Sequence, residues 1–128
     1  MEVRSAAEIE SAIKGMNSGE GLIVSPDQFL SSNFRLVIDL AAGQKVPTSY
    51  FWAGYVTQGG LMAYTSDFHV PFRSAAGYVD QLLRATRVDQ LPIQLPTTFD
   101  LHINLVTARS LGLEIPRELL VQARRIVE

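Results

Sequence analysis

The residues best suited to hold another molecule are aromatic and gather in one stretch, Tyr50-Phe51-Trp52-Ala53-Gly54-Tyr55. Ring faces supply a large contact area at low entropic cost, so Tyr50, Trp52 and Tyr55 are candidates for stacking on an apolar or aromatic ligand. Packing is the competing use of such rings, and the expected one for Phe51. Upstream, Ser25 and Asp27 follow the short apolar run Gly21-Leu22-Ile23-Val24. Where parallel strands form an open sheet, ligands collect at the carboxyl ends of the strands, which makes Ser25 and Asp27 candidates for ligand hydrogen bonds. The same two residue types also cap helices, and a helix follows them here. Stacking and strand-end hydrogen bonding are the chemistry of binding, and neither makes or breaks a bond.

Catalytic patterns are missing from the sequence. The two histidines, His69 and His102, have no metal-ligand spacing with each other or with acids. Asp67 and His69 flank Phe68, and Asp100 and His102 share a strand face, but no nucleophile motif accompanies either pair. Gly59-Gly60 lacks the spacing of a dinucleotide loop and no phosphate loop occurs, so the chain reads as a non-enzyme with no cofactor. A net charge of −2, with scattered basic residues, leaves no electrostatic footprint for nucleic acid. The absence of cysteine excludes disulfides and thiolate metal sites.

The elements that must position the aromatic stretch follow from periodicity and punctuation. With 47% hydrophobic and 19% charged residues, the 128 residues are expected to fold as one domain. Ser5 and Glu8 have capping-box spacing ahead of the apolar stripe Ile9, Ala12, Ile13 and Met16. A buried strand over Gly21-Leu22-Ile23-Val24 leads to a helix carrying Leu30, Phe34, Val37 and Ala41, with Gly43 as its left-handed stop. Thr48-Ser49-Tyr50-Phe51 and Leu61-Met62-Ala63-Tyr64 read as further strands. Between Asp67 and Ala85 a long helix presents Phe72, Ala75, Ala76, Val79, Leu82 and Leu83 on one face, expected to be core. Pro92 and Pro96 hold Ile93-Gln94-Leu95 extended. Phe99, Leu101, Ile103 and Leu105 then alternate with Asp100, His102 and Asn104, which predicts a half-buried strand with a wet face. A short helix stopped by Gly112 follows, and Pro116 opens a last helix with Leu119, Leu120, Ala123, Ile126 and Val127 on one side. Helix and strand in alternation predict an α/β domain: a parallel sheet in three layers, with helices on both faces.

The series Gly59-Gly60-Leu61-Met62 with Tyr64, Ala75-Ala76, Tyr78-Val79-Asp80, Leu83, Leu91-Pro92, Gln94, Pro96-Thr97, Phe99, Ile103-Asn104-Leu105, Thr107-Ala108, Leu111-Gly112-Leu113 and Ile115-Pro116 resembles the C-terminal part of one family. These are bacterial ABC-transporter substrate-binding proteins of the two-lobed periplasmic type, whose members with a known ligand take amino acids such as tryptophan. The resemblance implies a partial periplasmic-binding-protein type I-like fold and a small organic solute as ligand. It also implies membrane subunits of a transporter as partners, and a periplasmic location. It places the aromatic stretch beside the ligand cleft and adds Tyr64 to the candidate ligand contacts. Family members usually carry Gly after this Tyr; Thr65 stands there instead, a side chain expected to narrow the cleft or change its preference.

Family members are roughly twice as long as a single domain and carry an export signal, whereas residues 1–20 show acids and helix periodicity in place of an apolar core. The chain is accordingly expected to match the C-terminal part of a larger protein, with 1–58 second-lobe-like and 59–128 returning to the first lobe. A cleft with one wall is expected to bind weakly or not at all, and the uncovered edges are expected either to rearrange into one compact sheet or, the preferred reading, to drive homodimer formation, with exchange of the C-terminal segment as one route. The alternative reading is a ligand-sensing or interaction domain of a regulatory protein that reuses the fold.

Overall fold

A computed structural model describes residues 3–67 and 69–128; Phe68 lies outside the described residues. The first helix, α1 (Ala6–Lys14), starts where the capping residues predict. Ser5 Oγ accepts from the Glu8 amide at 3.3 Å, but the Glu8 carboxylate reaches back one residue further than a capping box requires, accepting from the Arg4 amide at 2.7 Å. Strand β1 (Leu22–Val24) follows the turn at Gly19, whose φ of 87° suits glycine.

The next helix is two helices, α2 (Gln28–Ser32) and α3 (Phe34–Gly43), where the apolar spacing suggests one. Asn33 makes the break: its backbone leaves the helical region at φ −110° and ψ 17°, and its side-chain amide donates to the Phe29 carbonyl at 2.8 Å. Nor is Gly43 the left-handed stop. The helix continues through it, and Lys45 takes the positive φ of 54°, with Val46 N–H donating to Ala41 O and Lys45 N–H to Ala42 O. That is a Schellman closure, and the burial of Val46 against Ala41 holds the lysine in a conformation glycine would adopt more readily.

Strands β2 (Thr48–Tyr50) and β3 (Met62–Ser66) are joined by a 3-10 turn at Ala53–Gln58. With β4 (Phe99–Asn104) and β5 (Ala123–Val127) they form a five-stranded sheet in the order β1-β2-β3-β4-β5. The β1–β2, β2–β3 and β4–β5 pairings are parallel. The segments before and after Gly59-Gly60 thus contribute strands to the same sheet. Register puts Val24, Tyr50 and Ala63 in one row, and this face packs with Ile9 and Ile13 of α1 and Val37, Ile38 and Ala41 of α3 into the core. Side chains alternate along a strand, so Ile23 points to the opposite face, where it is 81% exposed. Helices flank the sheet, with α1 against α3 and with α5 (Leu105–Leu111) and α6 (Arg117–Gln122) beside β5.

The last helix is shorter than its apolar spacing predicts. It ends at Gln122, and Ala123–Val127 pair with β4 as β5, in the register Leu101↔Ala123 through Asn104↔Val127 with one bulge. Pairing with a ready strand edge outweighs a helical pattern whose end is β-branched Ile126-Val127.

The chain divides into two compact units, one of Met1–Thr65 with Leu101–Glu128 and one of Ser66–Asp100. The second contains α4 (His69–Leu83), a single 3-10 turn at Val88–Gln90 and an extended return. Asp67 caps its helix by accepting from the His69 amide at 2.8 Å. The face of α4 expected to be core is not core: none of its described residues is buried, and Phe72 and Leu83 are 75% and 83% exposed. Amphipathic spacing reports that a face needs covering, and none of the described residues of this unit covers it.

Candidate functional site

Because β1, β2 and β3 run parallel, their carboxyl ends lie along one edge of the sheet. Ser25, Phe51 and Tyr64 each stand one residue beyond the Val24–Tyr50–Ala63 row. Tyr64 is 60% exposed, and Ser25 borders an apolar recess of about 130 Å³ lined by Ile9, Ile13, Leu22, Ile23 and Leu30. Asp27 takes the capping role open to it, its Oδ1 accepting from the Leu30 amide at 2.9 Å, and its side chain stays at the surface.

The aromatic stretch separates by depth. Tyr50 and Tyr55 are buried, and Trp52 is 43% exposed. Tyr55 is the hub: it stacks on Phe34 at 4.9 Å between centroids and takes edge contacts from Tyr50 at 5.8 Å, Phe51 at 5.5 Å and Trp52 at 5.0 Å. Phe34 reaches the cluster from α3, a contact that strand-by-strand reading of the sequence does not disclose. Trp52 is braced on its second side by backbone, since a Cβ placed on Gly54 would lie 2.6–2.7 Å from three atoms of the six-membered ring. Glycine at 54 therefore lets the indole lie flat on the chain. An indole held in this way presents its remaining surface to solvent in a fixed orientation, the arrangement that stacking on a planar group requires.

A second device holds the turn below the rings. Gly59 caps the 3-10 turn with a φ of 105°, and at Gly60 an added Cβ would come within 2.8 Å of Tyr50 Cε2 and 2.9 Å of the Tyr55 carbonyl oxygen. Asn104, expected on a wet strand face, is buried instead: its Nδ2 donates to the Val56 carbonyl at 2.8 Å, and its Oδ1 accepts from the Thr107 amide at 3.0 Å as the cap of α5. Thr107 Oγ1 donates to the Gly59 carbonyl at 3.0 Å. The two polar residues of one helix start thereby fasten both ends of the Val56–Gly59 turn. The sequence shows only an Asn alternating along a strand, and nothing local points to a partner 48 positions away.

The family model described as ABC transporter substrate binding protein matches residues 1–127. The chain belongs to this family. Among solved structures, it is similar to an ABC domain from Streptococcus pneumonia in complex with L-Trp, at 26% identity and a TM-score of 0.83, covering 99% of this chain and 43% of that one. A conserved domain protein from Vibrio cholerae shares the fold at 24% identity and a TM-score of 0.80, over 94% of this chain and 41% of its own. So does a ligand-free, open substrate binding protein with adhesive properties from Clostridium difficile, at 17% identity and a TM-score of 0.71, over 98% and 42%. The chain thus spans less than half the length of each of these proteins. Comparison with curated proteins finds no match.

In this chain the buried tyrosine of the row carries a measurable signature. Burial pushes the Tyr50 hydroxyl up to about 12, Asp39 adds to the effect, and a hydrogen bond with the Thr48 side chain opposes it. A tyrosine near its ordinary value in the unfolded chain releases its proton from about pH 10, while the folded chain keeps it. The unfolded state therefore binds fewer protons between about pH 10 and 12, and stability falls as pH rises through that window by up to about 1.4 kcal/mol per unit. Urea unfolding of the wild type and Tyr50→Phe across that range measures it: the decline is expected to be shallower in the variant.

Proposed function

We propose that the chain is the solute-binding portion of an ABC transport system. It binds a small organic molecule with a planar apolar or aromatic group, an amino acid being the leading class, without catalysis. The observation that carries this reading is Trp52, half-exposed at the carboxyl end of β2 and held by Gly54 and Tyr55. Tyr64 and Ser25 stand along the same sheet edge to complete the contacts, Asp27 lies just beyond Ser25, and the buried Tyr50 and Tyr55 set the position of the indole. The L-Trp held by the pneumococcal relative supports an aromatic amino acid as the first ligand to try. The family's transport role supports membrane subunits of the transporter as partners and the periplasm as the compartment.

Trp52 is the single tryptophan of the chain, so its emission reads the site directly. Titration with free amino acids and small aromatic acids, tryptophan itself being followed by thermal unfolding because of its own fluorescence, is expected to give a saturable change for an aromatic member. The unfolding temperature should rise with the same ligand. Because one wall of a two-lobed cleft accounts for part of the contacts, affinity is expected in the millimolar range, about 4 kcal/mol. Trp52→Ala is expected to abolish the thermal shift without unfolding the chain. A folded chain that shows neither signal with any member of the panel would exclude solute binding by this segment.

A further inference from the structure

We propose that Thr57, Gln58 and Arg35 are positioning residues for the Trp52 indole: they hold the backbone on which the ring rests and act on the solute only through it. This role rests on the reading of Trp52 as a wall of the solute site. Residue 54 has to meet two conflicting requirements. Glycine leaves room for the ring, since a Cβ there would lie 2.6–2.7 Å from Cη2, Cζ2 and Cζ3 of the indole. Glycine is also the residue with the greatest backbone freedom, so a support built on it is by itself a loose one.

The Gly54 carbonyl is where the support is tightened. Thr57 Oγ1 donates to it at 2.9 Å and Gln58 Nε2 at 3.1 Å, so one oxygen accepts from side chains three and four residues further on. These bonds restrain the peptide of a residue that has no side chain to restrain it. Gln58 is held in turn, because Arg35 reaches from α3 and its Nη1 donates to the Gln58 carbonyl at 2.9 Å. On the other side of the turn the Tyr55 amide donates to the Trp52 carbonyl at 3.1 Å. The contacts thus run from Arg35 to Gln58, from Gln58 to Gly54, and from Gly54 to the indole. Asn104 and Thr107 act elsewhere, on the Val56 and Gly59 carbonyls. They are also set deeper, whereas Thr57, Gln58 and Arg35 are all exposed. Exposed side chains contribute little to folding. What these three govern is the freedom of the indole before a solute arrives, and a ring already fixed in its stacking orientation loses less entropy on binding. Their removal is therefore expected to cost affinity while leaving stability nearly unchanged.

Thr57→Val with Gln58→Leu removes both donors and keeps similar shapes. Trp52 is the single tryptophan of the chain, so time-resolved anisotropy of its emission in the free protein measures the motion of the ring. Calorimetric titration with L-phenylalanine and L-tryptophan measures affinity. The double variant should show a larger fast component of indole motion and bind about 10-fold more weakly, with an unfolding temperature within about 3 °C of the wild type. Arg35→Met should move both readouts in the same direction by less. Thr57→Ser keeps the hydroxyl and should match the wild type in both. An indole no more mobile in the double variant overturns the proposal. So does a looser indole with wild-type affinity, or a loss of affinity that comes only with a large fall in unfolding temperature, either of which would leave the three residues a purely structural role. These failures are read in a wild type that binds; a wild type that takes up neither amino acid removes the amino-acid reading of the site and the proposal with it.

Discussion

Tyr55→Ala is expected to destabilise the chain by about 3–5 kcal/mol, the range for removing a fully packed aromatic side chain. The ring is buried and touches Phe34, Tyr50, Phe51 and Trp52, so its loss opens a void bordered by four aromatic side chains from α3, β2 and the turn that follows. These rings are fixed by different elements and cannot collapse together into the space without moving backbone, which puts the cost toward the upper end of the range. Against a total stability of about 5–15 kcal/mol, the variant should be partly unfolded or close to it at 37 °C. Tyr55→Phe keeps all four ring contacts and should cost less than about 1 kcal/mol. Urea unfolding measures both, and Trp52 emission adds a local reading: its maximum should shift to the red in folded Tyr55→Ala, where one of the two braces on the indole is gone. A loss below about 1 kcal/mol for Tyr55→Ala would mean that the cluster is not a single packing unit.

The contrast between Tyr55 and Trp52 shows where sequence reading stops. Both rings are equally plausible as wall or as core when only their types and spacing are known. What separates them is which side of the sheet row each reaches and what comes to meet it. Phe34 arrives from a helix and seals Tyr55, while Gly54 supports Trp52 from below and leaves it open. The three parallel strands carrying the candidate site were legible because each is a short apolar or β-branched run bounded by Gly, Pro or polar turn residues. The start of α1 at Ser5 and the stop of α5 at Gly112, with a φ of 74°, were equally legible, since capping chemistry is local.

Elements decided by distant partners were not. Residues 123–127 carry a helical spacing, yet they form β5 because β4 offers an edge to pair with. The stripe on α4 was correctly read as amphipathic and wrongly read as core, because periodicity shows that a face is apolar without showing what lies against it. Asn33 divides a helix whose apolar spacing runs through it undisturbed, since its amide competes for a backbone carbonyl that the hydrophobic pattern does not register. Asn104 is the clearest case. Alternation put it outward with Asp100 and His102, but in the fold its amide is buried where two backbone groups need a partner.

That burial makes Asn104 the second position of large effect. Asn104→Ala is expected to cost about 2–4 kcal/mol, combining the loss of an N-cap with a Val56 carbonyl left to the longer bond from the Gly59 amide at 3.4 Å. The unfolding temperature should fall by about 10 °C, at several degrees per kcal/mol for a domain of this size. Asn104→Asp separates the two contributions. The carboxylate still caps α5 at the Thr107 amide, but it has no donor for Val56 and brings its charge against a carbonyl oxygen in a buried position, so at neutral pH it should be no better than Ala. Burial beside that oxygen raises the folded-state pKa above the unfolded value, so the charge penalty is present in full at high pH and shrinks as pH falls through the folded value. The gap to the wild type should narrow on acidification for Asn104→Asp and stay constant for Asn104→Ala. Thr107→Val removes the neighbouring bond to Gly59, and combined with Asn104→Ala it should cost less than the two separately, because both side chains fasten the same turn. Additive losses would show that the two ends of the turn are held independently. In that event the orientation of the rings above it would depend on Asn104 alone.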